Sequence, residues 1–232
     1  LRYTGTLAAL TPAARAALCE RSAAEDARVR DGAARIVERV RREGDTALRA
    51  LALEFDGARL DAIEVPRARC EAARAALAPE LRAALERARD NIERAHAAAR
   101  PRASECETEP GVRVGRRPDA FDRVGVYAPG GRARYPSSVL MGAVPARVAR
   151  VREVFLCTPP AANGEPDALL LAAAAIAGVD RVFALGGAGA IAALAYGTAS
   201  VPAVRKIVGP GNAWVAAAKR LVAADGVVAI DS

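Results

Sequence analysis

Three glycine-rich loops carry most of the chemistry this chain offers. VGVYAPGG (Val124–Gly131), VFALGGAGA (Val182–Ala190) and IVGPGN (Ile207–Asn212) each read as a short apolar strand entering a Gly/Pro loop. A helical segment follows each loop. Gly130-Gly131 and Gly186-Gly187 let a strand turn sharply and let bare backbone N–H groups face a ligand phosphate. A tight turn with no ligand is the alternative for each. GPGN, Gly209–Asn212, is less generic, because Pro210 fixes one residue between two permissive ones. Asn212 falls at the helix start, where its amide either caps the helix or contacts a ligand. Tyr127, at its strand end, is either a core aromatic or a ring on which a nucleotide stacks. None of the loops matches G-x-G-x-x-G, so an ordinary dinucleotide fingerprint is not supported.

Side-chain chemistry is sparse. His96 is the sole histidine, and Cys19, Cys70, Cys106 and Cys157 are scattered with no C-x-x-C pair. There is no H-E-x-x-H, no clustered set of metal donors, no G-x-S-x-G elbow and no P-loop. No catalytic residue and no metal ligand is therefore assigned within the chain. Cys157 ends the apolar run VFLC and reads as a buried structural thiol. Ser137 and Ser138 are expected to cap the helix after VGVYAPGG.

The elements that must position these loops follow from patterning. Of 232 residues, 52% are hydrophobic but only 4% aromatic, so Ala, Leu and Val fill the core. From Thr11 to Pro101 the chain is mainly amphipathic helix. The starts are Thr11-Pro12, Asp26, Asp45, Pro66 and Pro79, and the segment Leu60–Val65 alternates like a strand. The first of these helices is expected to reach about Arg21. Glu105–Pro118 is strand-like. From Arg123 onward strands and helices alternate without a break. That alternation predicts βαβ units, an α/β fold with a parallel sheet and helices on both faces. The expected division is a mainly helical region over residues 1–122 and an α/β domain over 123–232 that carries the three loops.

Net charge is +7, and the arginines lie mostly among Glu and Asp on helices, as in ERVRREGD and ELRAALERARDNIER. Such spacing predicts i, i+3 and i, i+4 ion pairs on a solvated face. With no aromatic RNA motif, zinc finger or basic tail, the pattern argues against nucleic acid and for an anionic small molecule. No apolar run spans a bilayer and no signal segment opens the chain, so a cytoplasmic protein is expected.

Taken together, VGVYAPGGRARYPSSVLMGAVPARVA, FALGGAGAIAALAYGTASVP and KIVGPGNAWVAAAKRLV resemble histidinol dehydrogenase in order and spacing. The resemblance is strong over Val124–Ser232 and looser over the helical first half. It implies a Rossmann-like sheet, a cytoplasmic homodimer, and NAD- and zinc-dependent oxidation of L-histidinol through the aldehyde to L-histidine. It places Tyr127 and Asn212 at NAD-contacting positions. Three departures stand out: Gly189 where the family has a glutamine, Arg150 where a glycine is usual, and Arg205 where an acid is usual.

The sequence ends at AIDS, Ala229–Ser232, where the family continues into AGPSE. The resemblance thus predicts a truncated chain with part of an NAD site. The zinc ligands, the Glu-His acid/base pair and the substrate contacts would lie beyond it, and the chain alone would have no activity. It also predicts first-half helices short of partners, with an exposed apolar face. The rival readings are a non-catalytic nucleotide-binding or subunit-pairing module, and the remnant of a split gene.

Overall fold

A computed structural model describes residues 6–19, 27–130 and 134–231. At the centre of its main sheet runs β4 (Arg123–Tyr127), whose residues from Val124 on are all buried. On one side lie β5 (Glu153–Thr158) and then β6 (Arg181–Ala184). On the other lie β7 (Lys206–Val208) and then β8 (Ala229–Ile230). A short β1 (Glu64–Val65) from the first half completes the order β1-β6-β5-β4-β7-β8. The last five strands run parallel, in registers such as Val126 against Leu156 on one side and against Val208 on the other. β1 alone is antiparallel, with Glu64 opposite Phe183. A parallel sheet must be buried on both faces, and its apolar strands satisfy that.

Helices α6 (Pro136–Val148) and α7 (Ala168–Ala177) pair with each other as the crossovers from β4 to β5 and from β5 to β6. Helices α8 (Gly187–Tyr196) and α9 (Ala213–Ala224) pair as the crossovers from β6 to β7 and from β7 to β8. The strand order therefore reverses between β4 and β7, the position at which open α/β sheets form a crevice beyond their carboxyl ends. α8 is buried almost throughout, which its small residues GAGAIAALA allow.

The first half supplies a further layer. α2 (Ala27–Glu43) packs on α8 and α9, and α3 (Asp45–Leu51) on α8. On the opposite side α4 (Arg67–Ala75) packs on α7, and α5 (Pro79–Ala99) on α6. α1 (Pro12–Cys19) opens with the Thr11 hydroxyl accepting from the Ala14 N–H at 3.2 Å, the cap that Thr-Pro predicts. The helix expected to reach Arg21 runs to Cys19, and Arg21 lies outside the described residues.

The expected shortage of partners holds only locally. α2 and α4 bury apolar faces on α7, α8 and α9, whereas Leu53, Phe55 and Leu81 remain exposed. Between α5 and β4, β2 (Ser104–Glu109) and β3 (Val112–Arg116) form an antiparallel hairpin exposed at every residue.

Ion pairing follows the helical spacing rule at Arg39–Glu43 and Arg67–Glu71 and departs from it elsewhere. Arg39–Glu43 is an i, i+4 pair at 3.2 Å, but Glu86 of α5 meets Arg74 of α4 at 2.8 Å. At the sheet edge Arg181 holds Glu64 with two hydrogen bonds of 2.9 and 2.5 Å. Its guanidinium also lies over Phe155 and Phe183, a contact that suits arginine's flat cation.

The strand expected over Leu60–Val65 is realised as strand only at Glu64–Val65. Leu60 and Ile63 bury their side chains from irregular backbone. Ser137 and Ser138 do not cap α6. Pro136 takes the first helical position and Tyr135 precedes it, because proline's fixed φ favours that place.

Arg150, placed by the resemblance where a glycine is usual, follows α6 with φ 63, the left-handed turn that an L side chain resists. Arg150→Gly relieves that strain while loosening the unfolded chain, a net gain of about 0.5–1 kcal/mol. Thermal denaturation should show a Tm about 2–3 °C higher; an unchanged or lower Tm counts against strain at this position.

Candidate functional site

The ends of β4, β5, β6 and β7 open on one cavity of about 660 Å3. Tyr127, Gly130, Pro159, Gly186, Gly187 and Asn212 line it, so the two site residues expected from the sequence share one wall system. Gly131, the other member of its glycine pair, lies outside the described residues. α2, α3 and the turn after α3 close the opposite side with Ile36, Leu48, Leu51, Phe55 and Asp56. Trp214, the chain's single tryptophan, lies at the same cavity and packs against Gly32 of α2.

Tyr127 is only 4% exposed, and its hydroxyl accepts the Gly187 N–H at 3.1 Å. Burial, offset in part by that hydrogen bond, pushes its pKa up to about 12. It is thus both a core aromatic and the anchor of the Gly186-Gly187 loop. Gly187 sits at φ 60, which lets the chain enter α8 at once. Of the first N–H groups of α8, that of Gly187 goes to Tyr127, and those of Ala188 and Gly189 find no acceptor among the described residues. Both residues line the cavity, so a helix N-terminus with two orphan donors borders it, an arrangement that favours an anion.

Asn212 is both cap and cavity residue. Its Oδ1 accepts from the N–H groups of Trp214 and Val215, each at 3.1 Å. Its amide nitrogen has no partner among the described residues, and Asn212 lines the cavity. The GPGN loop is held from behind. The Asp231 carboxylate accepts the Gly209 N–H at 2.8 Å and pairs with Lys219, whose ammonium also donates to the Gly209 carbonyl at 2.6 Å.

Gly189 is walled in. A Cβ added there would lie 3.0 Å from Leu51 Cδ1, so any side chain at this position must displace that methyl to reach the cavity. Cys157 is fully buried, and desolvation raises its pKa far enough to keep the thiol protonated. His96 is half-buried on α5, away from the cavity. Among the described residues no group of three or more His, Cys, Asp or Glu side chains could hold a metal ion.

The residue that sequence reasoning missed is Asp56. It ends a π-helical turn, Ala52–Asp56, and Gly57 turns the chain away in the left-handed region. Partial burial pushes its pKa from 3.8 up to about 6. The only hint in the sequence is the Asp-Gly pair closing a helix, which says nothing about a cavity.

Two outcomes are expected of variants here. Gly209 has φ 112, and a Cβ on it would overlap the Tyr127 carbonyl. Gly209→Ala should therefore cost about 2–4 kcal/mol in chemical denaturation, and a cost near zero would show that the two backbones can part without penalty. Asp56 has a folded pKa above its unfolded one, so its charge weakens the fold as pH rises through about 6 and costs nothing below about 4. Asp56→Asn should stabilise by about 1–2 kcal/mol at pH 8, allowing for the solvent the group retains, with the gain fading toward pH 4. Melting curves across pH check the sign.

The family model for histidinol dehydrogenase matches residues 19–232. The histidinol dehydrogenase of Xylella fastidiosa (strain Temecula1) is 50% identical over 202 residues, covering 87% of this chain and 47% of that protein. That of Bordetella parapertussis is 50% identical over 212 residues, covering 90% and 48%. A crystal structure of histidinol dehydrogenase from Elizabethkingia anophelis superposes with a TM-score of 0.83 at 35% identity, over 88% of this chain and 47% of that one. The chain thus spans about half the length of the curated relatives it matches. No helix among the described residues is long and apolar enough to cross a membrane. Family model, relatives and superposition agree with the motifs around the cavity: the chain belongs to the histidinol dehydrogenase family.

Proposed function

We propose that the cavity is the NAD site of an enzyme that oxidises L-histidinol through the aldehyde to L-histidine, and that this chain supplies part of that site. The observation that carries the reading is the meeting of Tyr127, the α8 N-terminus and Asn212 at one cavity beyond the strand ends. The cavity fits a nucleotide on three counts. It has a volume typical of cofactor sites. It has two unsatisfied backbone donors for a phosphate. Its apolar walls, among them Leu51, Phe55 and Trp214, suit the flat rings.

NAD, when bound, supplies hydride acceptance at each oxidation. This chain's residues hold and orient it. The N–H groups of Ala188 and Gly189 bind phosphate, and the Asn212 amide nitrogen reaches a polar edge. Tyr127 keeps the glycine loop in place. With a pKa near 12 its hydroxyl stays neutral at physiological pH, so it serves as a hydrogen-bonding group and not as a base. Zinc has no fitting donor set among the described residues; it enters by family resemblance alone, as do the homodimer and the cytoplasmic setting.

A second reading, a nucleotide-binding or subunit-pairing module without catalysis, draws support from Leu53, which is exposed, and from Phe55, which is exposed and lines the cavity. The two readings share NAD binding and differ in turnover. The purified 232-residue chain should bind NAD in calorimetry and form no NADH from histidinol, followed by nicotinamide absorbance. Absence of NAD binding sinks the site, and steady NADH production sinks the assignment of this chain to a partial site.

A further inference from the structure

The cavity contains one charged group with no partner. Neither oxygen of Asp56 accepts a hydrogen bond or meets a cation among the described residues. The carboxylate nevertheless stands against the glycine loop: a Cβ built on Gly186 would lie 3.3 Å from Asp56 Oδ2 and 3.0 Å from Pro159 Cβ. Asp56 is therefore next to Pro159, the residue that follows β5. The π-helical turn creates this position, since its extra residue widens the backbone just before Gly57 and brings both Phe55 and Asp56 to the cavity.

That location matters chemically. In doubly wound dinucleotide folds, an acidic residue about 20 positions after the glycine loop hydrogen-bonds the ribose hydroxyls. Here the end of β5 reads Cys157-Thr158-Pro159-Pro160 and offers no acid. Asp56, from a different part of the chain, places a carboxylate beside that strand end. An ionised carboxylate only accepts hydrogen bonds, so its complement is a hydroxyl or N–H donor, and a second negative charge is repelled. Beside donors suited to a phosphate, the donors that a nucleotide brings are its sugar hydroxyls. A half-buried carboxylate with no partner among the described residues is also what a ligand-directed group looks like.

We propose that Asp56 is a specificity residue of the nucleotide site, accepting hydrogen bonds from ribose hydroxyls and disfavouring a 2′-phosphorylated nucleotide. The inference rests on the NAD reading above and goes beyond it by naming the group that selects the sugar.

The test titrates the parent chain, Asp56→Asn and Asp56→Ala with NAD and with NADP, following Trp214 emission and heat in parallel. The parent should prefer NAD. Asp56→Asn should bind NAD about 10- to 100-fold more weakly, the factor carried by a hydrogen bond to a charged group. The same variant should bring the NAD and NADP constants together, and Asp56→Ala should do likewise. A melting curve at pH 8 shows that each variant is folded. If the parent binds neither nucleotide, the cofactor reading fails and this one with it. If the parent binds NAD and both variants bind it equally well with the same preference, only Asp56 loses its role. An Asp56→Asn protein less stable than its parent at pH 8 marks the carboxylate as structural and overturns the proposal on its own.

Discussion

The site depends on two backbones touching. At the point where the strand order reverses, Gly209 lies against the carbonyl and amide of Tyr127, with no room between them for even one side-chain carbon. β4 and β7 diverge from that contact, one toward α6 and the other toward α9, and the crevice between the diverging loops becomes the cavity. Withdrawing β7 by the width of a methyl group would carry Asn212 and Trp214 with it. Lys219 and Asp231 grip Gly209 from the far side, so the loop is clamped on two faces before any ligand arrives. A site whose donors are backbone groups needs such a clamp, because it has few side-chain rotamers to adjust.

Small side chains make the same logic work one layer out. α8 buries nearly its whole length, and its Gly and Ala residues let α2 and α3 approach closely enough for Leu48 and Leu51 to reach Gly189. The first half of the chain is for this reason a wall of the cavity. An added edge strand and the Arg181–Glu64 pair fasten the same half to the sheet at its other end. Where the resemblance places a glutamine, this chain has the smallest residue and an apolar methyl beside it. Close packing occupies the place that an amide side chain would otherwise fill.

Much of this is legible in the sequence, and the limits are physical. Apolar runs such as VFLC and RVFAL signal buried strands because both faces of a parallel sheet must be covered. Asn212 reads as a cap because side-chain capping is a local interaction, completed within three residues. Tyr127 is ambiguous for a good reason: one ring fills the core while its hydroxyl holds a loop 60 residues away. Contacts of that range leave no periodic trace. Neither Arg69–Glu165 nor the approach of Asp56 to Gly186 can be inferred from spacing. A π-helical turn has no sequence signature comparable to a cap, so Asp56 reads as the last residue of an ordinary helix.

One consequence concerns reagents. The chain has only two lysines, Lys206 and Lys219. Both ammonium groups are engaged at the β7–β8 edge, Lys206 on the Ile230 carbonyl and Lys219 on Gly209 and Asp231. Thirty-two arginines elsewhere are inert to acylating agents, so the lysine amines that such an agent could modify sit in a single structural seam. Covalent tagging of this protein would report how often its last strand peels away, and immobilisation through lysine would pull on the backbone that shapes the crevice.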